Sequence, residues 1–324
     1  MSEPTPKTEY ILTPSLRRFI LFPIKHPELW KLYKQQEASF WTVGETDLAK
    51  DRFDELPENE KTFIKHVLAF FANADGIVNE NLCTRFASEV QVAEARSFYA
   101  IQQAIEAIHA EMYSTLIDTY VKDNEEKDKL FRAIETMPII AKKGNWAMKW
   151  INSQNSFALR LIAFAIIEGV FFAGSFCSIY WLKQQRRTLP GLFQSNHLIQ
   201  KDESLHCLFA TVLFSMLENK PTYEEVLALF EEAVALEREF VEEAIPVQMI
   251  GMNSKLMVQY IEYMADRLLT MLGYPKRWGS NNPFDFMETI SLTSKANFFE
   301  NRVVEYQKSS SSEASTKLDL NVDF

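Results

Sequence analysis

From Leu161 to Leu182 the chain runs for 22 residues with one charged side chain, Glu168, near the middle. A helix this long and apolar can span a bilayer or lie at the centre of a large bundle, apolar on every side. No second span accompanies it, and the rest of the chain reads as a water-facing protein. A bare carboxylate in an apolar run is costly unless it is protonated, paired or bound to a metal. The run therefore predicts a buried central helix, with no membrane, and an acid that needs a partner.

Partners are at hand. The chain has five histidines, and two of them stand three residues after a glutamate, in Glu106-Ala-Ile-His109 and Glu203-Ser-Leu-His206. On a helix, residues three apart share a face, so each pair can hold one metal ion jointly. A lone pair of this kind is most often a solvated helix face. Here each is preceded by a carboxylate in an apolar setting, Asp75 by 31 residues and Glu168 by 35, so the pattern is given twice. Four carboxylates and two imidazoles on separate helices make the ligand set of a two-metal carboxylate site. Four negative charges balance two divalent cations. An oxygen-rich, nitrogen-containing set favours iron or manganese over copper, and it lacks the thiolates of structural zinc sites.

Nine glycines in 324 residues, apolar spacing at helical period and no strand-like alternation predict an all-α bundle. Helices are expected over residues 28–40, 57–87, 94–122, 156–184, 196–217, 222–244 and 254–272, with a shorter one from Phe131 stopped by Pro138. The expected organisation is a flexible arm over 1–20, a helical metal-binding domain over 21–300 and a flexible tail over 301–324. A net charge of −10 without a basic stripe argues against nucleic-acid binding. Cys83, Cys177 and Cys207 are too few and scattered for a disulfide framework, which points to a reducing, cytoplasmic setting.

Tyr113 lies four residues after His109 and seven after Glu106, on the same helix face. Phe172 and Phe176 follow Glu168 by four and eight, and Ile199 precedes Glu203 by four, giving apolar walls around the metals and the phenol. Singly, each is ordinary core packing. Beside an oxygen-activating metal pair, such a cage is what would preserve an oxidised phenol.

From about Arg17 to Phe324 the chain resembles the small, radical-generating subunit of class I ribonucleotide reductase, of the eukaryotic and large-DNA-virus type. The likeness rests on Glu37-Ala-Ser-Phe-Trp41-Thr-Val, Ala74-Asp75-Gly-Ile-Val-Asn-Glu-Asn-Leu82, Ile108-His109-Ala-Glu-Met-Tyr113-Ser and Asp118-Thr-Tyr-Val-Lys-Asp123. Phe171-Phe-Ala-Gly-Ser-Phe176, Met249-Ile-Gly-Met-Asn253 and Asn282-Pro-Phe-Asp-Phe-Met-Glu288 extend it. The resemblance implies a ferritin-like helical bundle with two iron ions per chain, manganese being the alternative. Asp75 and His109 would bind the metal nearer Tyr113, Glu168 and His206 the other, with Glu106 and Glu203 bridging. Tyr113 would become a tyrosyl radical. Trp41, Asp202 and His109 match the family's chain for carrying the radical equivalent outward, and Tyr306 the tail tyrosine that hands it on to reduce ribonucleotides. Trp41 alone would read as a core tryptophan.

Lys308-Ser-Ser-Ser-Ser-Glu-Ala-Ser-Thr-Lys317 reads as a flexible linker, ending in Leu318-Asp-Leu-Asn-Val-Asp-Phe324. Such an apolar ending is either a frayed end or a docking peptide. The resemblance makes it the segment that binds the large subunit, in a protein expected to be a homodimer. Lys201 and Ser204 depart from the family's usual arginine and glycine, and the stretch Trp181 to Pro190 is one residue longer than usual. These bear on proton movement and surface contacts rather than on the ligands. Two other readings remain open: a two-metal oxidase of a small molecule, and an iron-storage or metal-free structural protein.

Overall fold

The computed structural model describes residues 8–244 and 250–287. The chain divides into two compact units, 1–283 and 284–324, and everything below concerns the first. Tyr306 and the segment Leu318–Phe324, expected to dock a partner, lie outside the described residues. Among the described residues there are helices and no strands, as the glycine-poor, helix-periodic sequence predicts.

Two helix pairs form the core. Glu58–Asn81, carrying Asp75, packs along Ala93–Tyr120, carrying Glu106, His109 and Tyr113. Phe157–Ile166, leading into Glu168, packs along Pro190–Ser215, carrying Asp202, Glu203 and His206. The Glu203 helix also touches the Glu106 helix, which closes the four into a bundle. Pro27–Ala38 lies across Ala93–Tyr120 and Pro190–Ser215, while Tyr223–Glu239 and Ser254–Met271 cover the apolar helix.

Local chemistry sets the helix ends. Ser156 Oγ accepts the Leu159 amide, Asn253 accepts the amides of Lys255 and Leu256, and Thr222 with Glu225 forms a reciprocal capping box. Within the run Phe157–Gln185 an 18-residue stretch has a mean hydropathy of 2.0, high enough for a membrane span, yet 94% of that stretch is buried inside the protein. It is the central helix that the lone Glu168 predicts. Part-way along, Ile167–Phe171 forms a single π-helical turn. Turns of this kind insert one extra residue and are frequent at functional sites; this one bears Glu168.

Three local readings need correction. The short helix before Pro138 does stop there, as Ala133–Thr136 rather than from Phe131, but Pro138 also opens a new helix, Pro138–Ile151, occupying the first turn, where its missing N–H is no loss. Pro190 likewise starts the Glu203 helix six residues earlier than expected. Within the expected loose arm, Ile11 is buried, its carbonyl accepts the Gln91 amide at 2.7 Å, and Glu9 accepts the amides of Glu218 and Asn219.

Candidate metal centre

The bundle brings the six candidate ligands to one place. Asp75, Glu106, His109, Glu168, Glu203 and His206 are all buried, none more than 3% exposed. Ligand atoms of Asp75, Glu106 and His109 lie within 4.8 Å of one another, and so do those of Glu106, Glu168, Glu203 and His206. Glu106 belongs to both groups. Glu203 reaches the other side too, its Oε1 standing 3.0 Å from His109 Nδ1. His206 Nδ1 stands 3.0 Å from Glu106 Oε1 and 3.4 Å from Glu203 Oε2.

Close approach between two helices makes this possible. A Cβ on Gly169 would lie 2.8 Å from Cys207 Sγ, inside contact distance, so only glycine lets the Glu168 turn press against the helix bearing His206. At the far end, Asp51 accepts the amides of Gly191 and Leu192 and the Tyr120 hydroxyl at 2.5 Å. It ties the start of the Glu203 helix to the end of the Glu106 helix.

The donor atoms themselves test for a metal. Asp75 Oδ2, Glu106 Oε2, Glu168 Oε2, both Glu203 oxygens, His109 Nδ1 and His206 Nδ1 are buried and make no hydrogen bond. Buried polar atoms are nearly always satisfied, so a convergent set of orphaned lone pairs is a site shaped for cations. Charge agrees. Burial, reinforced by Glu106 and Glu203, pushes the Asp75 carboxyl well above its ordinary range, and burial with Glu203 does the same to Glu168. Burial also opposes ionisation of Glu203, but Glu168 and the two imidazoles hold it below the usual range. Burial would lower both histidines, yet the surrounding carboxylates raise His109 well above normal and His206 to about 9. Protons thus compensate a charge that divalent cations would otherwise neutralise. Cys207 sits beside His206, and burial pushes its thiol up to about 12, so it stays protonated and brings no thiolate.

His109 has a second partner. Its Nε2 stands 3.1 Å from Asp202 Oδ2, which also accepts the Trp41 indole N–H at 2.8 Å. The Trp41 and His109 rings lie nearly parallel, 6.1 Å apart. A carboxylate on the far nitrogen fixes the tautomer with Nδ1 free for a metal. Asp202 is held in turn by Gln36, whose Nε2 donates to Oδ1 at 2.8 Å.

Tyr113 is 2% exposed, its hydroxyl has no hydrogen-bond partner, and burial, then the Asp75 charge, raises its pKa far above that of a free phenol. The ring lying on it is Phe71, stacked at 4.7 Å and 11°. Phe172 and Phe176 pack against Phe71, at 5.7 and 4.9 Å. Ile199 is fully buried one turn before Glu203. Sequence reasoning passed over Phe71, Gln36 and Gln102. Gln102 Nε2 donates to Glu168 Oε1 at 3.2 Å and reaches Glu106 Oε1 at 3.5 Å. Gln102 lies four residues before Glu106 and Phe71 four before Asp75, so helical spacing could have found both. Gln36 stands on a separate helix with no such signal.

A family model, "Ribonucleotide reductase, small chain", matches residues 18–283. The chain belongs to the ribonucleotide reductase small-chain family. Among its curated relatives in this family, a ribonucleoside-diphosphate reductase small chain of Arabidopsis thaliana is 58% identical, over 95% of this chain and 93% of the relative. The small chain of vaccinia virus (strain Ankara) is 56% identical over 98% of this chain and all of its own. In structure, the small chain is similar to the ribonucleotide reductase Rnr4 homodimer of Saccharomyces cerevisiae, with a TM-score of 0.80, 37% identity and 92% of each chain covered.

Proposed function

We propose that this small chain is the radical-bearing subunit of a ribonucleoside-diphosphate reductase, acting with a separate large subunit that reduces the ribonucleotide. The observation that carries the reading is the set of orphaned donor atoms of six buried residues, gathered in two groups that share Glu106, with Tyr113 one turn beyond His109. Asp75 and His109 would hold one iron, Glu168 and His206 the other, with Glu106 and Glu203 between them; manganese suits the same donors. When bound, the metal pair supplies the oxidising power, drawn from dioxygen, that turns the Tyr113 phenol into a radical.

The chain's own residues do the rest. Burial keeps the proton on Tyr113 Oη until oxidation removes it. Phe71, Phe172 and Phe176 form an apolar wall that keeps water and reductants from the ring, with Ile199 adding to the buried surround. Asp202 Oδ2, accepting from Trp41 Nε1 and facing His109 Nε2, links the centre to Trp41 by hydrogen bonds, and this is the path proposed for the outgoing equivalent. Tyr306 would continue it, and Leu318–Phe324 would dock the large subunit. The likeness to a yeast homodimer supports a homodimeric assembly, and three free cysteines suit the cytoplasm.

The test is Tyr113→Phe, loaded with ferrous iron and exposed to oxygen. Metal content stays at the wild-type level, while the radical signal in electron paramagnetic resonance and the reductase activity disappear. A normal radical yield in the variant overturns the assignment. An oxidised metal centre in the wild type without any radical favours a two-metal oxidase instead.

A further inference from the structure

The six ligands are at most 3% exposed, so any small co-substrate must cross protein to reach them. One cavity is lined by residues next to two of them, Ala74 and Ile167. It opens where Asn73, Ala74, Ile77 and Ile134 are partly exposed, and narrows to a buried floor of Gly144, Ala147, Ile167, Phe171 and Phe172. Its volume is about 20 Å³, room for one water-sized molecule. Two floor and wall residues adjoin ligands in sequence, Ala74 beside Asp75 and Ile167 beside Glu168. Phe172 packs on Phe71, the ring stacked on Tyr113.

Chemistry selects the occupant. Lys143 and Asn73 border the cavity, but their polar ends are engaged elsewhere. The Lys143 ammonium donates to Glu237 at 2.6 Å and to the Phe171 carbonyl at 2.9 Å. The Asn73 amide donates to the carbonyls of Ala69 and Leu130. The accessible wall is wholly apolar. A water or an anion inside would forfeit its hydrogen bonds, whereas apolar cavities of this kind stay dry and take up apolar gases. We propose that this pocket binds dioxygen and is its route to the metal centre. The proposal rests on the reading that the centre consumes dioxygen; the pocket's affinity for an apolar gas does not.

Two measurements separate these. Krypton under pressure, located by anomalous scattering in crystals of the metal-free protein, occupies the pocket between Ile77, Ile134 and Gly144. In Gly144→Leu the site is filled and the krypton peak is lost. A Cβ at residue 144 already lies 3.3 Å from Ile77 Cδ1 and 3.6 Å from Ile134 Cγ1, so even the milder Gly144→Ala narrows it. In stopped-flow mixing of the ferrous-loaded protein with oxygenated buffer, Gly144→Leu slows the oxygen-dependent step by about tenfold, equivalent to about 1.4 kcal/mol on the barrier. Gly144→Ala falls between, and Ile77→Ala, which widens the mouth, reacts at least as fast as wild type. Metal content is the same in all four. Absence of krypton from the wild-type pocket overturns the proposal, as does a Gly144→Leu protein that excludes krypton yet reacts at the wild-type rate. Krypton in the pocket of a wild-type protein that never reacts with oxygen overturns the proposed function, and with it the use of the pocket as a route.

Discussion

Replacing Lys143 by methionine tests how the protein holds the turn that bears Glu168. The ammonium is 1% exposed, bound to Glu237 and to the Phe171 carbonyl, and lies 3.7 and 3.8 Å from the Phe70 and Phe240 ring centroids. Burial lowers Lys143 to about 8, and burial raises Glu237 to about 7, with each partner offsetting only part of the penalty. A carboxyl whose folded pKa lies above its unfolded value contributes stability that is lost as pH rises towards the folded pKa. In the wild type this loss stops near pH 7, where Glu237 ionises in the fold. Without the ammonium, Glu237 stays protonated to higher pH, and the loss continues at about 1.4 kcal/mol per pH unit. Between pH 6 and 8.5 Lys143→Met therefore loses about 2 kcal/mol of stability relative to wild type. Urea unfolding of the metal-free proteins at both pH values measures the gap, and the metal ligands cancel because they titrate in both. Adding Glu237→Gln removes the pH dependence. A gap that is the same at pH 6 and 8.5, or a double variant that loses stability over that range as steeply as Lys143→Met, refutes the reasoning.

Glu203→Ala removes a carboxylate shared by both ion positions, so bound iron, measured by elemental analysis, falls well short of a filled pair. Protons compete for the same donors, and His206 at about 9 makes metal affinity weaken as pH falls from 9 towards 6; an affinity flat over that range contradicts the ligand set. Gln36→Leu frees one oxygen of Asp202, and the expected result is an intact metal centre and Tyr113 radical with slower holoenzyme turnover. Deleting Leu318–Phe324 leaves the radical in place but abolishes activity with the large subunit, since each buried apolar side chain is worth about 1.5–3 kcal/mol; unchanged affinity for the large subunit counts against a docking tail.

What the sequence makes legible is whatever repeats with the helix. The two Glu-x-x-His pairs, Asp75 and the lone acid of the apolar run locate four helices, because ligand geometry must match helical spacing. Contacts between helices distant in sequence do not show. Gln36 reaches Asp202 across 166 residues, and Lys143 meets Glu237 across 94. Pro138 shows only half its role in the sequence: it follows the end of one short helix and opens another, because proline suits a helix start as well as a stop. The π turn leaves no trace in composition, since its extra residue is read as part of a continuous run.

The central apolar run also sets a problem in time. Three helices that pack on it, Pro190–Ser215, Tyr223–Glu239 and Ser254–Met271, all come after Gln185. At ribosomal speeds of roughly 5–20 residues per second, the last of them emerges about 4–17 seconds after the run does. Throughout that interval a segment as hydrophobic as a membrane anchor, its most apolar 18 residues 94% destined for the interior, waits with only the earlier helices to cover it. Synthesis of this chain therefore leans on chaperones that hold apolar segments, and slowing translation beyond Gln185 lowers the soluble yield while leaving the finished protein as stable as before.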